Sequence, residues 1–250
     1  MKTAPLFSII MPAYDAENTI DEAIESVFMQ TLEDYELIVV NDCSQDKTRQ
    51  VVEEYVQVDE RVLLINNNEN KGVARSRNKA LEASRGRYIT FLDSDDRWSP
   101  QKLEKQYHAF CRGNDIVFTA YKRFGEGKEA VVYPPITGCY RSLLKGNYIG
   151  NLTGAYDRDA LGLEFQKDIG HEDYLMWLRL MYRSYKSVGL QEVLAEYRVS
   201  TDSLSSNMIK GAQWTWQIYR KELNIGIFRS LFLFGNYFIR AIKKRGAGFL

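Results

Sequence analysis

Apolar positions along the first hundred residues follow two alternating periods. Short aliphatic and β-branched runs occur at residues 7–11, 37–40, 62–65 and 88–92, each of a length and composition that predicts a buried strand. Between them apolar residues recur every three or four positions: Ile20, Ala23, Ile24, Val27 and Phe28, then Val51, Val52 and Tyr55, then Ala74, Ala80, Leu81 and Ala83. That spacing predicts three helices. Thr19 and Glu22 have capping-box spacing before the first. Ser44-Gln45-Asp46 opens the second, Gly72 turns the chain into the third, and Gly86 follows it. Ser99-Pro100 predicts the start of a fourth. Strands separated by single helices build a parallel, right-handed βαβ sheet, and ligands of such sheets bind beyond the carboxyl ends of the strands.

The second half is less regular. A strand is predicted over 116–121, a loop or hairpin over the Gly- and Pro-rich residues 124–140, and a short strand over 151–156. A helix with Leu175, Leu178 and Leu180 follows over 172–182, then a weaker strand over 193–197. Residues 207–222 predict a helix carrying Trp214, Trp216, Ile218 and Tyr219. With no repeat and no linker before about residue 200, the expectation is one α/β domain over 1–205 and a helical extension over 206–250.

Composition narrows the classes. The 250 residues are 45% apolar and 26% charged, with zero net charge and a pI near 6.8, so nothing global points to nucleic acid. Cys43, Cys111 and Cys139 lack metal-like spacing and are expected to be free thiols in a reducing compartment. Residues 1–5 run straight into the first strand without the apolar core of a signal peptide. No apolar stretch reaches the roughly 18 residues that span a bilayer.

The fourth strand ends in Asp93-Ser94-Asp95-Asp96, three carboxylates within four residues. Carboxylates repel one another and are costly to bury unpaired, so a strand aimed at such a cluster suggests that a cation completes the site. Oxygen-only ligands favour Mg2+ or Mn2+, which bridge a few carboxylates to substrate phosphates. The Asp93-x-Asp95 spacing therefore points to an enzyme that handles a nucleoside diphosphate. A calcium loop would want Gly where Trp98 stands; an acidic turn capping the next helix is the plainer alternative.

Three more clusters fall at the same predicted edge. Pro12-Ala13-Tyr14, with Asp15 and Glu17, reads by itself as a turn and its packing. Asp42, after Asn41, can accept a hydrogen bond from a base N–H such as uracil N3, or cap the following turn. Asn70-Lys71-Gly72-Val73-Ala74-Arg75, with Asn78 beyond, puts cations at a helix start, where Arg75 offers planar donors to ribose, base or phosphate; a solvated basic helix is the alternative. The P-loop pattern GxxxxGKS/T is absent, and no GxGxxG follows a strand.

Ser8-Ile9-Ile10-Met11-Pro12-Ala13-Tyr14-Asp15, Val39-Val40-Asn41-Asp42-Cys43-Ser44, Asn70-Lys71-Gly72-Val73-Ala74-Arg75 and Phe91-Leu92-Asp93-Ser94-Asp95-Asp96 together resemble glycosyltransferase family 2, the inverting GT-A nucleotide-sugar transferases. Their order and spacing follow that family from residue 7 to about residue 110. The resemblance implies an α/β GT-A fold, a Rossmann-like, mostly parallel sheet flanked by helices with a C-terminal helical extension. It implies a nucleotide-binding half at 1–110 and an acceptor-binding half at 111–205. The nucleotide-sugar pocket would form around Pro12, Tyr14, Glu17, Asp42 and Arg75, with Asp93 near the ribose or sugar and Asp95 on a Mn2+ or Mg2+ bridging the diphosphate. Gly170-His171-Glu172-Asp173-Tyr174 looks like the family's Glu-Asp motif, which assigns Asp173 as general base, with Glu172 the fallback. Without the resemblance, two acids in a helix's first turn are commonplace.

Tyr197-Arg198-Val199-Ser200, followed by Ser203-Leu204-Ser205, resembles a late family motif in which many relatives carry His where Ser200 stands. Arg198 is then either a diphosphate contact or a structural ion pair. Trp98 and His171 are candidate sugar or acceptor contacts, with a core role the alternative for Trp98.

The expected function is inverting transfer of a sugar from a nucleoside-diphosphate sugar, UDP-linked by family frequency, to an acceptor hydroxyl in bacterial cell-surface polysaccharide synthesis. Two other classes compete with this expectation. A sugar nucleotidyltransferase would carry a Gly-rich, Arg-containing loop after the first strand, which Pro12-Ala13-Tyr14-Asp15-Ala16 is not. A nucleotide-sugar-binding protein without turnover has no need of both Asp95 and Asp173. Residues 225–245 mix Phe228, Leu231, Phe232, Leu233, Phe234, Tyr237, Phe238 and Ile242 with Arg229, Arg240, Lys243, Lys244 and Arg245, and contain no acid. Such a helix suits the interface of an anionic membrane; packing on the catalytic domain or a second subunit is the alternative. By analogy, the acceptor is expected to be a saccharide that is lipid-linked, and the enzyme cytoplasmic and peripheral on the inner membrane.

Overall fold

Every residue of β1 (Phe7–Ala13) and β2 (Tyr35–Asn41) is buried, because side chains alternate between two covered faces. Phe7, Ile9 and Met11 join one apolar cluster with Leu37 and Val39, while Ile10, Ile38 and Val40 join the other. This two-sided burial explains why both strands read as continuous apolar runs. The computed structural model describes residues 4–126, 129–199 and 208–246, with backbone alone at 208–209 and 237–246. Within them, β3 (Val62–Asn66), β4 (Tyr88–Phe91), β5 (Arg97–Trp98), β6 (Ile116–Gly125), β7 (Ala130–Val132), β8 (Ala155–Asp157) and β9 (Ser187–Val199) complete a single sheet. Its order is β3-β2-β1-β4-β8-β6-β9-β5, with β7 paired to β6. The long ladders β3-β2-β1-β4 and β6-β9 are parallel; the short ones that β8, β7 and β5 make are antiparallel.

Helices α1 (Ile20–Phe28), α2 (Thr48–Val58) and α4 (Lys102–Phe110) cover one face through Ile24, Val52 and Leu103. The other face is covered by α3 (Val73–Ala83), the short α5 (Tyr140–Leu143) and α6 (Arg158–Leu161), and α7 (Glu172–Arg183). The C-terminal extension consists of α8 (Met208–Gln217), a π-helical turn Ile218–Glu222 and α9 (Ile227–Gly246). It packs into this second core, where Ile218 and Tyr219 are fully buried and Ile225 and Leu233 nearly so. A charge network ties it down: Lys167 and Arg179 hold Glu222, while Arg179 and Arg183 hold Glu164.

Several local expectations change. Thr19 stands at the N-cap of α1, but its side chain makes no cap bond; it donates instead to the Ala16 carbonyl at 3.4 Å. Helix α4 begins at Lys102, after Ser99-Pro100, and its Leu103 N–H is met by Gln30 Oε1 at 3.0 Å, from beyond α1. The strand expected over 151–156 is a 3-10 turn, Asn151–Thr153, followed by β8. The weak strand at 193–197 is part of the thirteen-residue β9. Its apolar pattern is broken because the register against β6 shifts around Ala120, leaving Gln191 and Glu192 exposed.

Lys102 lies wholly inside. Its Nζ donates to Gln106 Oε1 at 2.9 Å and Thr90 Oγ1 at 3.2 Å, and sits 3.7 Å from the centroid of the Trp98 ring. Burial drives its pKa well below the ordinary 10.5, since desolvation disfavours the ammonium. Unfolding therefore takes up a proton between the depressed folded value and 10.5, and stability falls as pH drops through that window. Lys102→Met removes this slope. Denaturation midpoints measured from about pH 10 down to about pH 7 should shift in the variant's favour as pH falls; parallel curves would show that the lysine keeps its charge inside.

Candidate active site

The carboxyl ends of β1, β2 and β3 carry loops that bind one another. Asp15 and Cys43 hold left-handed backbone, φ 45° and 63°, a conformation costly for non-glycine residues and concentrated at functional sites. Asp15 N–H donates to Ser44 Oγ at 3.1 Å, and Gln45 N–H returns a bond to Asp15 Oδ1 at 2.8 Å. Glu17 Oε2 accepts Lys47 N–H at 2.9 Å. Pro12 is buried within β1, whereas Tyr14 is half exposed at the rim. The neighbouring Asp15 carboxylate raises the Tyr14 pKa.

Asp42 is almost wholly buried and acts as a clasp. Oδ1 accepts from Asn67 Nδ2 at 2.7 Å and Lys71 N–H at 2.9 Å, and Oδ2 accepts from Gly72 N–H at 2.7 Å. The turn that follows is capped by Asn41, whose Oδ1 accepts Ser44 N–H at 3.1 Å, whereas Asp42 clasps the remote Lys71–Gly72 turn. A carboxylate has about four acceptor positions, so among the described residues one on Oδ2 is left unused. Gly72 adopts φ 85°, which a side chain would strain. Arg75 is exposed and lines a shallow cleft of about 280 Å³ with Asn67, Lys71, Asn78, Lys79 and Glu82.

The acidic cluster beyond β4 splits into three environments. Asp93 keeps 30% of its side-chain surface and bonds the buried guanidinium of Arg77, Nη2 to Oδ1, at 2.5 Å. Asp95 is exposed, yet its carboxyl is crowded by protein; burial, then the charge of Asp93, raises its pKa to about 6. Asp96 is fully buried and accepts Arg198 N–H at 2.8 Å. Burial and then its two acidic neighbours push it well above the ordinary carboxylate range. Of the two readings of Arg198, the structure contains the ion pair: Nη2 donates to Glu22 Oε2 at 2.7 Å and Nε to the Asp95 carbonyl at 2.8 Å. Ser200 and residues 203–205 lie outside the described residues.

Arg77 joins this cluster to the Glu-Asp motif. Its Nη1 donates to Gln166 Oε1 at 3.1 Å, and its Nε has no partner among the described residues. Burial works to lower its pKa, but Asp93, joined by the charges of Asp173 and Glu172, leaves it raised overall. Asp173 Oδ2 accepts from Asn147 Nδ2 at 3.4 Å, and Glu172 Oε1 accepts Gly170 N–H at 3.2 Å. His171 sits at the N-cap of α7 with its ring edge-on to Trp214 of α8. Gly170 has φ 92°, and a Cβ there would collide with the Trp214 ring. The extension thus braces the start of the helix that carries Asp173.

Arg77 was missed because Arg75 lies within the recognisable motif. The signal was present, since Arg77 falls on the apolar stripe of α3 with Ala74, Ala80 and Leu81, where an arginine must face a buried partner. Trp98 is a core residue, 3% exposed, with Nε1 donating to the Leu152 carbonyl at 2.9 Å; its indole offers no surface to a sugar.

Among the described residues no three acidic, His or Cys side chains form a ready metal cage. The donor set still fits a hard divalent cation that keeps several waters and phosphate oxygens: Asp95 is crowded by like charge, and Asp93 Oδ2 is not used by Arg77.

A doubly covered sheet with a turn clasped by an aspartate, and two acidic clusters meeting over one arginine at its carboxyl edge, defines a nucleotide-dependent α/β enzyme. The model of glycosyl transferase family 2 matches residues 8–161, and the chain belongs to that family: it moves a sugar from a nucleoside-diphosphate sugar to an acceptor. It is 37% identical over 246 residues to the putative teichuronic acid biosynthesis glycosyltransferase TuaG of Bacillus subtilis, covering 96% of this chain and 98% of the relative. It is 36% identical over 244 residues to the Escherichia coli UDP-Glc:alpha-D-GlcNAc-diphosphoundecaprenol beta-1,3-glucosyltransferase WfgD, covering 96% and 94%. The mannosyltransferase PcManGT of Pyrobaculum calidifontis, solved with GDP-Man and Mn2+, shares the fold with a TM-score of 0.68 at 18% identity, over 90% of this chain and 66% of that one.

Arg77→Ala leaves Asp93 unpaired and a void behind it. The expected cost is about 3 kcal/mol, the low end for a broken buried pair because Asp93 is partly solvated, or roughly 6–12 °C in thermal midpoint. Arg75→Ala, on the open surface, should stay within about 0.5 kcal/mol. Equilibrium denaturation of both variants checks the contrast.

Proposed function

We propose that the protein is a metal-dependent, inverting transferase that takes its sugar from a UDP-linked donor. The acceptor is a hydroxyl of a lipid-linked saccharide in bacterial cell-surface polysaccharide synthesis, and the enzyme works peripherally at the cytoplasmic face of an anionic membrane. One observation carries the chemistry: Arg77 is held by Asp93 and feels the charges of Asp173 and Glu172, so a donor-side acid and a base-side pair are gathered around one arginine. WfgD supports the donor and acceptor classes, since its name states a UDP-linked glucose, a lipid diphosphate acceptor and a beta product.

In this reading the loops around Pro12, Tyr14 and Glu17 and the free acceptor position of Asp42 hold the nucleoside, with Arg75 at its rim. Asp93 uses Oδ2 for a ribose or sugar hydroxyl while Arg77 fixes Oδ1. A Mn2+ or Mg2+ on Asp95, as the Mn2+ complex of PcManGT suggests, would neutralise charge on the departing diphosphate. Asp173, steadied by Asn147 and the N-terminal end of α7, takes the acceptor hydroxyl's proton. The new oxygen–carbon bond forms as the anomeric carbon's bond to the diphosphate breaks. Attack from the face opposite the leaving group inverts the anomeric carbon.

Asp173→Asn keeps the shape and removes the base. Turnover should fall about a hundredfold or more, while protection of the protein by UDP with Mn2+ in thermal unfolding stays as in the wild type. Near-normal turnover would take Asp173 out of this role.

A further inference from the structure

Helix α9 shows two different sides within its described length. Ser230 and Leu233 are buried against the domain. Phe228, Leu231 and Phe232 point outward, the two phenylalanines 86% and 64% exposed. The same helical spacing continues in the sequence through Phe238, Ile239 and Ile242. Among the described residues nothing covers the exposed sides of Phe228, Leu231 and Phe232.

A second aromatic ledge adjoins this face. Tyr140 packs edge-on against Tyr182, 5.1 Å between ring centroids, and lies close enough to Arg229 of α9 to feel its charge. Tyr182 is 74% exposed and Tyr185 fully so. Between them and α5 runs a cleft of about 360 Å³ that includes Arg141 and Lys186. Among the described residues, no acidic side chain pairs with Arg141, Lys186 or Arg229.

We infer that α9 and the Tyr182–Tyr185 ledge form one docking surface for an anionic lipid bilayer. Exposed aliphatic and aromatic side chains enter the acyl boundary, tyrosines sit at headgroup level, and unpaired cations meet lipid phosphates. Charge decides between a bilayer and a second copy of the chain. After Glu222 the sequence holds five Lys and Arg and no acid, in a protein of zero net charge. Pairing this face with itself would set cation against cation, whereas an anionic surface neutralises it. The helix lies on the bilayer rather than across it, because no described helix is long and apolar enough to span one. This deepens the peripheral-membrane reading above but needs neither donor nor acceptor, so it fails or stands apart from the transferase assignment.

The test is co-sedimentation of the full chain with phosphatidylglycerol-containing vesicles and with phosphatidylcholine vesicles, at low and high salt. Binding should be at least about tenfold tighter on the anionic vesicles and should weaken with salt. A single variant carrying Phe228→Ser, Leu231→Ser and Phe232→Ser should lose about tenfold or more, and Tyr182→Ser with Tyr185→Ser should lose binding separately. Both variants should keep the wild-type thermal midpoint, since the altered side chains are exposed. The inference is overturned by absent vesicle binding, by equal binding to neutral vesicles, or by variants that bind like the wild type. A wild-type dimer that the triple variant converts to monomer would also overturn it.

Discussion

The active edge of this protein depends on one buried cation. Asp93, Asp95, Asp96, Glu172 and Asp173 converge near the carboxyl ends of the sheet, and mutual repulsion would drive them apart or protonate them. Arg77 enters from the buried face of α3, grips Asp93 directly and lies within the fields of Asp173 and Glu172. Arg198 performs a similar duty at the outer end, where its backbone meets Asp96 and its guanidinium reaches Glu22 and the Asp95 carbonyl. With Asp96 sequestered and Asp93 held, Asp95 is left with a raised affinity for a proton and, in the proposed reaction, for a metal ion. The carboxylates thereby acquire different roles through position alone.

The C-terminal extension is part of this arrangement. Tyr219 is buried beneath α7, with its hydroxyl donating to the Leu144 carbonyl. Trp214 closes over Gly170 and His171, and Glu222 is gripped by Lys167 and Arg179. One side of the extension therefore braces the helix of the proposed base, while α9 turns apolar residues outward. A membrane contact at α9 would act on an extension that packs against the base helix through Trp214 and Tyr219.

How much of this was legible in the chain depends on burial. Strands β1, β2 and β4 were readable because both their faces are covered and nearly every position is apolar. In the second half β6 and helix α7 were readable too, but β5, β8 and the full length of β9 were not, because β8 has three residues, β5 has two, and β9 carries Gln191 and Glu192 through an irregular register. The motif residues Asp42, Asp93 and Asp173 could be singled out from strand ends and family spacing. What they bind inside the protein could not: Asp42 clasps the Lys71–Gly72 turn, and Arg77 hid behind the expectation that a cation on a helix faces water. Trp98 shows the reverse error, since an aromatic beside an acidic motif suggests a sugar platform while its indole N–H is satisfied in the core.

The assignment of the acidic cluster to the leaving group is tested most directly by calorimetric titration of UDP into the protein with and without Mn2+. Mn2+ is expected to tighten UDP binding by at least about tenfold, because in the proposed reaction Asp95 would hold an ion that neutralises the diphosphate, and Asp95→Asn should erase that increment while leaving metal-free binding in place. Equal UDP affinity with and without Mn2+, or an increment that survives Asp95→Asn, would contradict it.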